Sequence, residues 1–256
     1  MFTCKTLDEL RAQAEANGAA LPLAKDAQAL AAPLTVAGRT LANRIAIQPM
    51  EGCDGTADGA PGELTIRRYD RFAASGAALV WFEACAVARE GRANPRQAWL
   101  TEDNLDAYKA LNDRIREIAV KNGNPAPIII MQATHSGRYS KPDGVPAPII
   151  AYNNPLFEKD APLPADRIIS DDELYRLEDK MAFSAALAEK AGFDGCDIKC
   201  CHRYLGSELL SEEEQEAVKH VLNEHNVYNK RKVELVLTDK LKRTLLSSVG
   251  KLNSIH

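Results

Sequence analysis

Short apolar runs alternate along the chain with amphipathic stretches, which is typical of a parallel sheet covered by helices. The apolar runs that predict strands span 45–48, 78–83, 127–132 and 194–199. Helical periodicity and capping residues predict helices over 6–17, 62–75, 103–122 and 170–190. Nearly continuous apolar strands are buried on both faces, so we expect an α/β fold with a parallel sheet that is either open or closed into a barrel.

The pattern changes near residue 211. All 13 prolines lie at or before Pro164, and the stretch after residue 211 contains a single alanine, Ala217. This stretch begins with Ser211-Glu212-Glu213-Glu214, a capping-box start for a helix. We therefore expect an N-terminal helical extension over 1–32, an α/β body over 33–211 and a divergent, mostly helical tail over 212–256.

Composition narrows the class of protein. The chain has 256 residues with 45% hydrophobic and 27% charged residues, ordinary values for a globular protein. The net charge of −4 argues against general nucleic-acid binding. No apolar run approaches the ~20 residues that span a bilayer, and the N-terminus lacks an apolar signal core, so a cytoplasmic location without a membrane partner is expected. The six cysteines fit no zinc-binding spacing and are expected to be reduced thiols.

Polar residues follow three of the predicted strands directly. Gln48-Pro49-Met50-Glu51 ends the first strand, Gln132 ends the third, and the last is followed by Lys199, His202 and Tyr204. In parallel α/β folds the chemistry lies beyond the carboxyl ends of the strands. Since neither a Gly-x-Gly-x-x-Gly turn nor a Gly-Lys-Ser/Thr phosphate loop is present, a Rossmann or P-loop site is disfavoured.

Four ordered motifs give the body a close resemblance to the old yellow enzyme family, the FMN-dependent NADH:flavin oxidoreductases. They are Asn43-Arg44-Ile45-Ala46-Ile47-Gln48-Pro49-Met50, Gly76-Ala77-Ala78-Leu79-Val80-Trp81-Phe82-Glu83, Gln132-Ala133-Thr134-His135-Ser136-Gly137-Arg138, and Ala191-Gly192-Phe193-Asp194-Gly195 with His202-Arg203-Tyr204-Leu205. The resemblance covers about residues 30–211. It implies a partial (β/α)8 TIM barrel of about four βα units, with FMN at the carboxyl ends of the strands.

The resemblance also implies a role for each residue at those strand ends. Pro49 and Met50 would line the flavin ring through backbone contacts, and Ala84 would lie near the ring. Gln132 would hydrogen-bond the pyrimidine edge of the flavin, since an amide both donates and accepts.

The remaining matched residues would act on a small-molecule substrate. Lys199 and His202 would hold its carbonyl oxygen, and Tyr204, made more acidic by the flanking cations, would deliver a proton. The implied reaction passes a hydride from NAD(P)H through the flavin to an activated alkene.

Two departures from the family leave alternatives open. The family usually has a histidine or a similar neutral donor where this chain has Lys199, and the later strands and FMN phosphate site are not visible in 212–256. The chain is therefore an oxidoreductase, a truncated and catalytically inactive remnant, or a half-barrel that needs a partner chain such as a second copy. For two further residues, a functional and a structural interpretation are equally open. Glu51 either faces the flavin or is an ordinary loop residue, and Glu83 either contacts a ligand or pairs with an arginine.

Overall fold

The computed structural model describes residues 4–21, 26–36 and 38–210. The predicted tail over 212–256, with its capping box at Ser211, lies outside the described residues. The limits of the three predicted parts stay predictions.

Strands and helices alternate through the body as the hydrophobic pattern predicts. The strands are β1 (Leu34–Val36), β2 (Arg39–Leu41), β3 (Ala46–Ile47), β4 (Leu79–Ala86), β5 (Ile128–Thr134) and β6 (Gly195–Ile198). The helices are α1 (Leu7–Ala16), α2 (Gln28–Ala31), α3 (Glu63–Ala74), α4 (Leu105–Lys121), α5 (Asp171–Lys190) and α6 (Leu205–Glu208). Short 3-10 turns lie at Arg89–Gly91, Gly137–Tyr139 and Ala165–Arg167. Within the described part of the chain, no helix is long and apolar enough to cross a membrane.

The four main strands form one parallel sheet in the order β3-β4-β5-β6. Each is followed by a helix, so the body consists of four βα units and the predicted fold class is confirmed. The first two strands form a separate antiparallel hairpin that turns at Gly38, whose φ of 75° suits glycine. The parallel order brings the carboxyl ends of all four main strands to one edge of the sheet.

Two strands run further than the sequence predicts. The sequence predicts that these strands end at the polar residues Glu83 and Gln132, where the apolar runs stop. In the structure, β4 continues to Ala86 and β5 to Thr134. These last positions still pair in register, Cys85 with Ala133 and Ala86 with Thr134. The strands are longer because the backbone ladder continues after the apolar pattern has ended.

Reciprocal side-chain caps fix where the helices begin. Ser170 Oγ accepts from the Glu173 backbone N–H, and the Glu173 carboxylate accepts from the Ser170 N–H at 2.8 Å. Thr6 and Glu9 form the same capping box at the start of α1. Each box satisfies backbone donors that would otherwise lack a partner at the helix N-terminus.

Aromatic side chains fill the core between the sheet and helices α3 and α4. Phe82 is fully buried, stacks on Tyr69 with ring centroids 4.3 Å apart, and meets the edge of Phe193 at 5.3 Å. Ile115 of α4 and Ile129 of β5 are also fully buried and belong to the same cluster. The core thus lies directly beneath the strands that carry the polar ends.

We predict that Phe82→Ala lowers the free energy of unfolding by about 3–5 kcal/mol, since it removes an aromatic ring from a close-packed core. Urea unfolding followed by circular dichroism measures the change. The control Leu64→Ala, on the outer face of α3 where Leu64 is 47% exposed, should change stability by no more than about 0.5 kcal/mol. Equal losses in the two variants would contradict the assignment of Phe82 to the core.

Candidate active site

The four residues that the resemblance predicts as flavin contacts lie at the carboxyl edge of the sheet. Pro49 and Met50 follow β3; Pro49 is partly buried and Met50 is 72% exposed. Ala84 of β4 is fully buried and pairs in register with Gln132 of β5. Ala84 and Gln132 are therefore neighbours on adjacent strands, whereas Pro49 and Met50 approach from the loop after the edge strand.

A β-bulge aims Glu83 at the loop after β3. Phe82 pairs with Met131 and Ala84 with Gln132, so Glu83 is an extra residue in β4. Its Oε2 accepts from the Gly52 backbone N–H at 2.8 Å, and its own N–H donates to the Tyr69 hydroxyl at 2.8 Å. The bulge thus ties the loop after β3 to β4.

Arg68 of α3 completes this anchor. Its Nη2 donates to Glu83 Oε1 at 2.7 Å and to Asp54 Oδ1 at 2.8 Å. Glu83 is only 2% exposed, and burial raises its pKa against the opposing effect of Arg68. The structure therefore matches the arginine-paired interpretation of Glu83, and the loop from Met50 to Asp54 is held from both ends.

Lys199 and Tyr204 meet on one carboxylate, that of Glu51. Lys199 Nζ lies 3.0 Å from Glu51 Oε1, and the Tyr204 hydroxyl donates to the same oxygen at 3.4 Å. Lys199 Nζ also lies 4.3 Å from the centroid of the Tyr204 ring. The side chains of Lys199 and Glu51 are 3% and 16% exposed, so this ion pair is shielded from water.

The ionisation of Tyr204 is shifted in the direction opposite to the expectation from sequence. Flanking cations were expected to ease loss of its proton, but burial and the nearby Glu51 carboxylate raise its pKa. Burial is the larger cause, and the Glu51 carboxylate, which also pairs with Lys199, acts in the same direction. Tyr204 is therefore held as a neutral phenol.

His202 lies at the outer side of the same segment. It is exposed, its ring meets the Tyr204 ring edge-on at 6.2 Å, and its φ of 60° is in the left-handed region. Arg203 has a φ of 56°, so two consecutive non-glycine residues adopt this unfavourable conformation. The structure brings His202 next to Tyr204, but Lys199 pairs with Glu51 on the buried side.

A buried ion cluster holds the segment after Tyr204. Arg138, 6% exposed, donates to Glu208 of α6 and to Glu158, each at 2.5 Å. Two guanidinium groups pack on the Phe157 ring, with Arg138 4.6 Å and Arg203 4.5 Å from its centroid. These contacts fix α6 and hence the position of Tyr204, which is its N-cap residue.

Gln132 has a defined side-chain orientation. It is 6% exposed, and its Nε2 donates to Asp197 Oδ2 of β6 at 2.8 Å. Because a carboxylate only accepts, the amide nitrogen must face Asp197, and the amide oxygen points away from it. Asp197 pairs in register with Gln132, so the parallel ladder itself places this partner.

His135 has a structural environment. Its Nδ1 accepts from the Gly137 N–H at 3.2 Å, and burial lowers its pKa to about 4. A Cβ on Gly91 would lie 2.5 Å from the His135 ring, so the two residues pack closely. His135 is therefore a neutral packing residue rather than an acid or base.

Neither disulfides nor metal clusters occur around the strand ends. All six cysteines are free, and the described residues contain no group of three or more histidine, cysteine or acidic side chains that could hold a metal ion.

Sequence reasoning missed Arg68 and Asp197 and left Glu51 undecided. Asp197 follows only from the strand register: it is the third residue of β6 and pairs with Gln132, the fifth residue of β5. Arg68 gives no such signal because it lies on a helix and meets Glu83 only in three dimensions.

The parallel sheet with its four βα units is part of an α/β barrel. The chain belongs to the NADH:flavin oxidoreductase / NADH oxidase family, whose model matches residues 29–216. An NADPH dehydrogenase of Geobacillus sp. (strain WCH70) is 33% identical over 187 residues, which are 71% of this chain and 51% of that protein. An NADPH dehydrogenase of Bacillus pumilus (strain SAFR-032) is 29% identical over 186 residues, again 71% of this chain and 51% of that protein.

Solved structures agree on the fold. The old yellow enzyme homologue from Zymomonas mobilis superposes with a TM-score of 0.64 at 22% identity, covering 88% of this chain and 61% of that one. Morphinone reductase in complex with tetrahydroNAD gives 0.64 at 19% identity, with 87% and 61% covered. The chain spans about half the length of the curated relatives it matches.

We predict that Arg68→Met lowers the free energy of unfolding by about 3–5 kcal/mol, because it leaves the Glu83 carboxylate buried and unpaired. The matched control is Arg114→Met, which removes an exposed arginine that pairs with Asp70. Chemical denaturation should resolve no change in the control. Adding Glu83→Leu to Arg68→Met should restore part of the loss; an unchanged stability in Arg68→Met would show that the anchor does not hold the loop.

Proposed function

We propose that this chain carries the flavin-facing and substrate-facing residues of an FMN-dependent NAD(P)H oxidoreductase that reduces an alkene conjugated to a carbonyl group. The single observation that carries the proposal is the meeting of Lys199 and Tyr204 at the end of β6, next to Gln132 at the end of β5. Family membership supplies the class of reaction. The three residues supply an oxyanion donor, a proton donor and a partner for a ring edge.

The donor set at the strand ends fits the ring of a flavin. A flavin pyrimidine edge presents both N–H donors and carbonyl acceptors, so it needs a mixed partner. Gln132 is such a partner: Asp197 accepts from one N–H of its amide, which leaves the amide oxygen and the second N–H for a ligand. The small side chain of Ala84 and the exposed Met50 complete the set that would face the ring.

When bound, FMN would accept a hydride from a reduced nicotinamide and supply it to the β-carbon of the alkene. This chain's residues act on the other end of the substrate. Lys199 Nζ, a charged donor in a shielded position, and His202 would hold the carbonyl oxygen as negative charge develops on it. Tyr204 Oη, kept protonated, would give its proton to the α-carbon.

We infer a cytoplasmic protein with small-molecule partners. The free thiols at all six cysteines support a reducing compartment. An assembly with a second copy would complete the sheet beyond the outer edges of β3 and β6, which end the described order of strands. Light scattering, which measures the molar mass in solution, tests whether two copies assemble.

We predict that Tyr204→Phe leaves the reduction of bound flavin by NAD(P)H nearly unchanged and slows alkene reduction by about 10²–10⁴-fold, the range for loss of a positioned proton donor. Stopped-flow absorbance separates the two half-reactions. The control Tyr139→Phe alters the neighbouring ring, 5.9 Å from Tyr204, and should leave both rates close to those of the parent. Equal losses in both half-reactions of Tyr204→Phe would show a structural role instead.

We predict weak retention of FMN by this chain alone. Ring-facing residues are present, but by the resemblance the family's phosphate contacts come from a later part of the barrel, and a phosphate dianion needs convergent amides and a cation. Titration of FMN followed by flavin fluorescence measures the affinity, with riboflavin as the control that lacks the phosphate. FMN and riboflavin should bind alike; stoichiometric, submicromolar binding of FMN by a monomer would contradict the prediction. No binding of either flavin at saturating concentrations would favour the inactive remnant.

A further inference from the structure

Lys199 carries a positive charge that a neutral donor lacks, but the Lys199–Glu51 ion pair as a whole carries no net charge. By the resemblance, Lys199 stands where the family usually has a histidine or a similar neutral donor. A lone ammonium buried to 3% exposure would be unfavourable without a counter-charge. Glu51 Oε1 at 3.0 Å supplies that charge, so the two side chains together carry none.

The same oxygen of Glu51 also receives the Tyr204 hydroxyl. Tyr204 therefore has a carboxylate at its hydroxyl, 3.4 Å away, and an ammonium near its ring, 4.3 Å from the centroid. These two charges act on the phenol in opposite directions: the cation favours the phenolate and the carboxylate favours the phenol. The proton on Tyr204 thus depends on both members of the pair.

We propose that Glu51 is a positioning residue of this site: it neutralises Lys199 and holds Tyr204 in its protonated, proton-donating form. The pair Lys199–Glu51 thereby takes the place of a neutral donor. The inference deepens the proposed function and rests on it for its catalytic meaning. The charge arrangement itself belongs to this chain's own residues and is measurable without any cofactor.

Among the groups that face Tyr204 in the described part of the chain, Glu51 is the one that carries a negative charge. The groups that face Tyr204 are Glu51 and Cys53 from the loop after β3, Lys199 and His202 from its own segment, and Ser136 and Tyr139 from the loop after β5. Burial and Glu51 raise the pKa of the Cys53 thiol, so it stays neutral in the physiological range. His202 is exposed, and its ring meets the edge of the Tyr204 ring.

The anchor of the loop supports a fixed position for Glu51. The backbone N–H of the neighbouring Gly52 donates a hydrogen bond to Glu83 Oε2, and a Cβ on Gly52 would lie 2.0 Å from Arg68 Nη2. The backbone beside Glu51 is therefore pinned against the Arg68–Glu83 ion pair. The fixed loop holds the Glu51 carboxylate within hydrogen-bond distance of Lys199.

The test measures the ionisation of Tyr204 in the unloaded protein. The chain is labelled with 3-fluorotyrosine, whose more acidic phenol ionises at a lower pH, and the ¹⁹F resonance of Tyr204 is assigned from its absence in Tyr204→Phe. Glu51→Gln leaves Lys199 as a lone cation and should increase the ionisation constant of Tyr204 at least about tenfold, one unit of pKa. The double variant Glu51→Gln/Lys199→Gln should return it to within about threefold of the parent, because the pair is again neutral.

Two further variants keep the test decisive. Glu51→Asp retains the charge and should shift the titration less than Glu51→Gln does; it also serves if Glu51→Gln fails to fold. Glu102→Gln removes an exposed carboxylate far along the chain and should leave the Tyr204 resonance unchanged. An ionisation constant within about twofold of the parent in Glu51→Gln, or the same increase in the double variant, would overturn the proposal.

Failure of the proposed function gives a different result. If the chain reduces no alkene with FMN and NADPH present, yet Tyr204 titrates as expected, the charge pairing stands and the activity does not. If alkenes are reduced, the effect of Glu51→Gln on that rate should shrink at least about tenfold in a Lys199→His background, where no buried ammonium needs neutralising. A rate effect that is the same in both backgrounds would show that Glu51 acts independently of Lys199.

Discussion

The buried Arg68–Glu83 ion pair is the contact on which the arrangement of the strand ends depends. A bulge in β4 turns Glu83 toward the loop after β3, and the carboxylate holds that loop by the Gly52 N–H. Arg68 reaches from α3 to satisfy Glu83 and Asp54 together. This cluster helps to hold the loop that carries Glu51, the partner of Lys199, over the sheet.

Parallel register supplies the second constraint. In a parallel ladder the residues of adjacent strands are paired one by one, so side chains at the strand ends have set neighbours. Gln132 pairs with Asp197 in this way. Two residues later, the Lys199 backbone N–H donates to the Ala133 carbonyl oxygen at 2.9 Å, which places Lys199 beside the end of β5. The site is thus assembled from two sources: backbone pairing places Gln132 and Lys199, while side-chain ion pairs place the loops.

The division between the two sources explains what the sequence could predict. Apolar runs and capping boxes predict the strands and helices because those signals are local, and the structure confirms them, including the Ser170–Glu173 cap. The strand-end position of Gln132 follows from the same pattern. Partners joined by side chains across the fold, such as Arg68 with Glu83 or Lys199 with Glu51, leave no spacing to detect. They form only after the sheet has brought distant segments together.

The charge state of Tyr204 shows why such partners matter for chemistry. A motif containing Lys199 and Tyr204 alone suggests a cation that makes the phenol more acidic. The structure adds burial and the Glu51 carboxylate, and both raise the pKa of Tyr204 instead. A proton donor must keep its proton until the substrate needs it. In the proposed role of Tyr204 as a proton donor, the Glu51 carboxylate from the loop after β3 offsets the charge of Lys199 and accepts from the phenol.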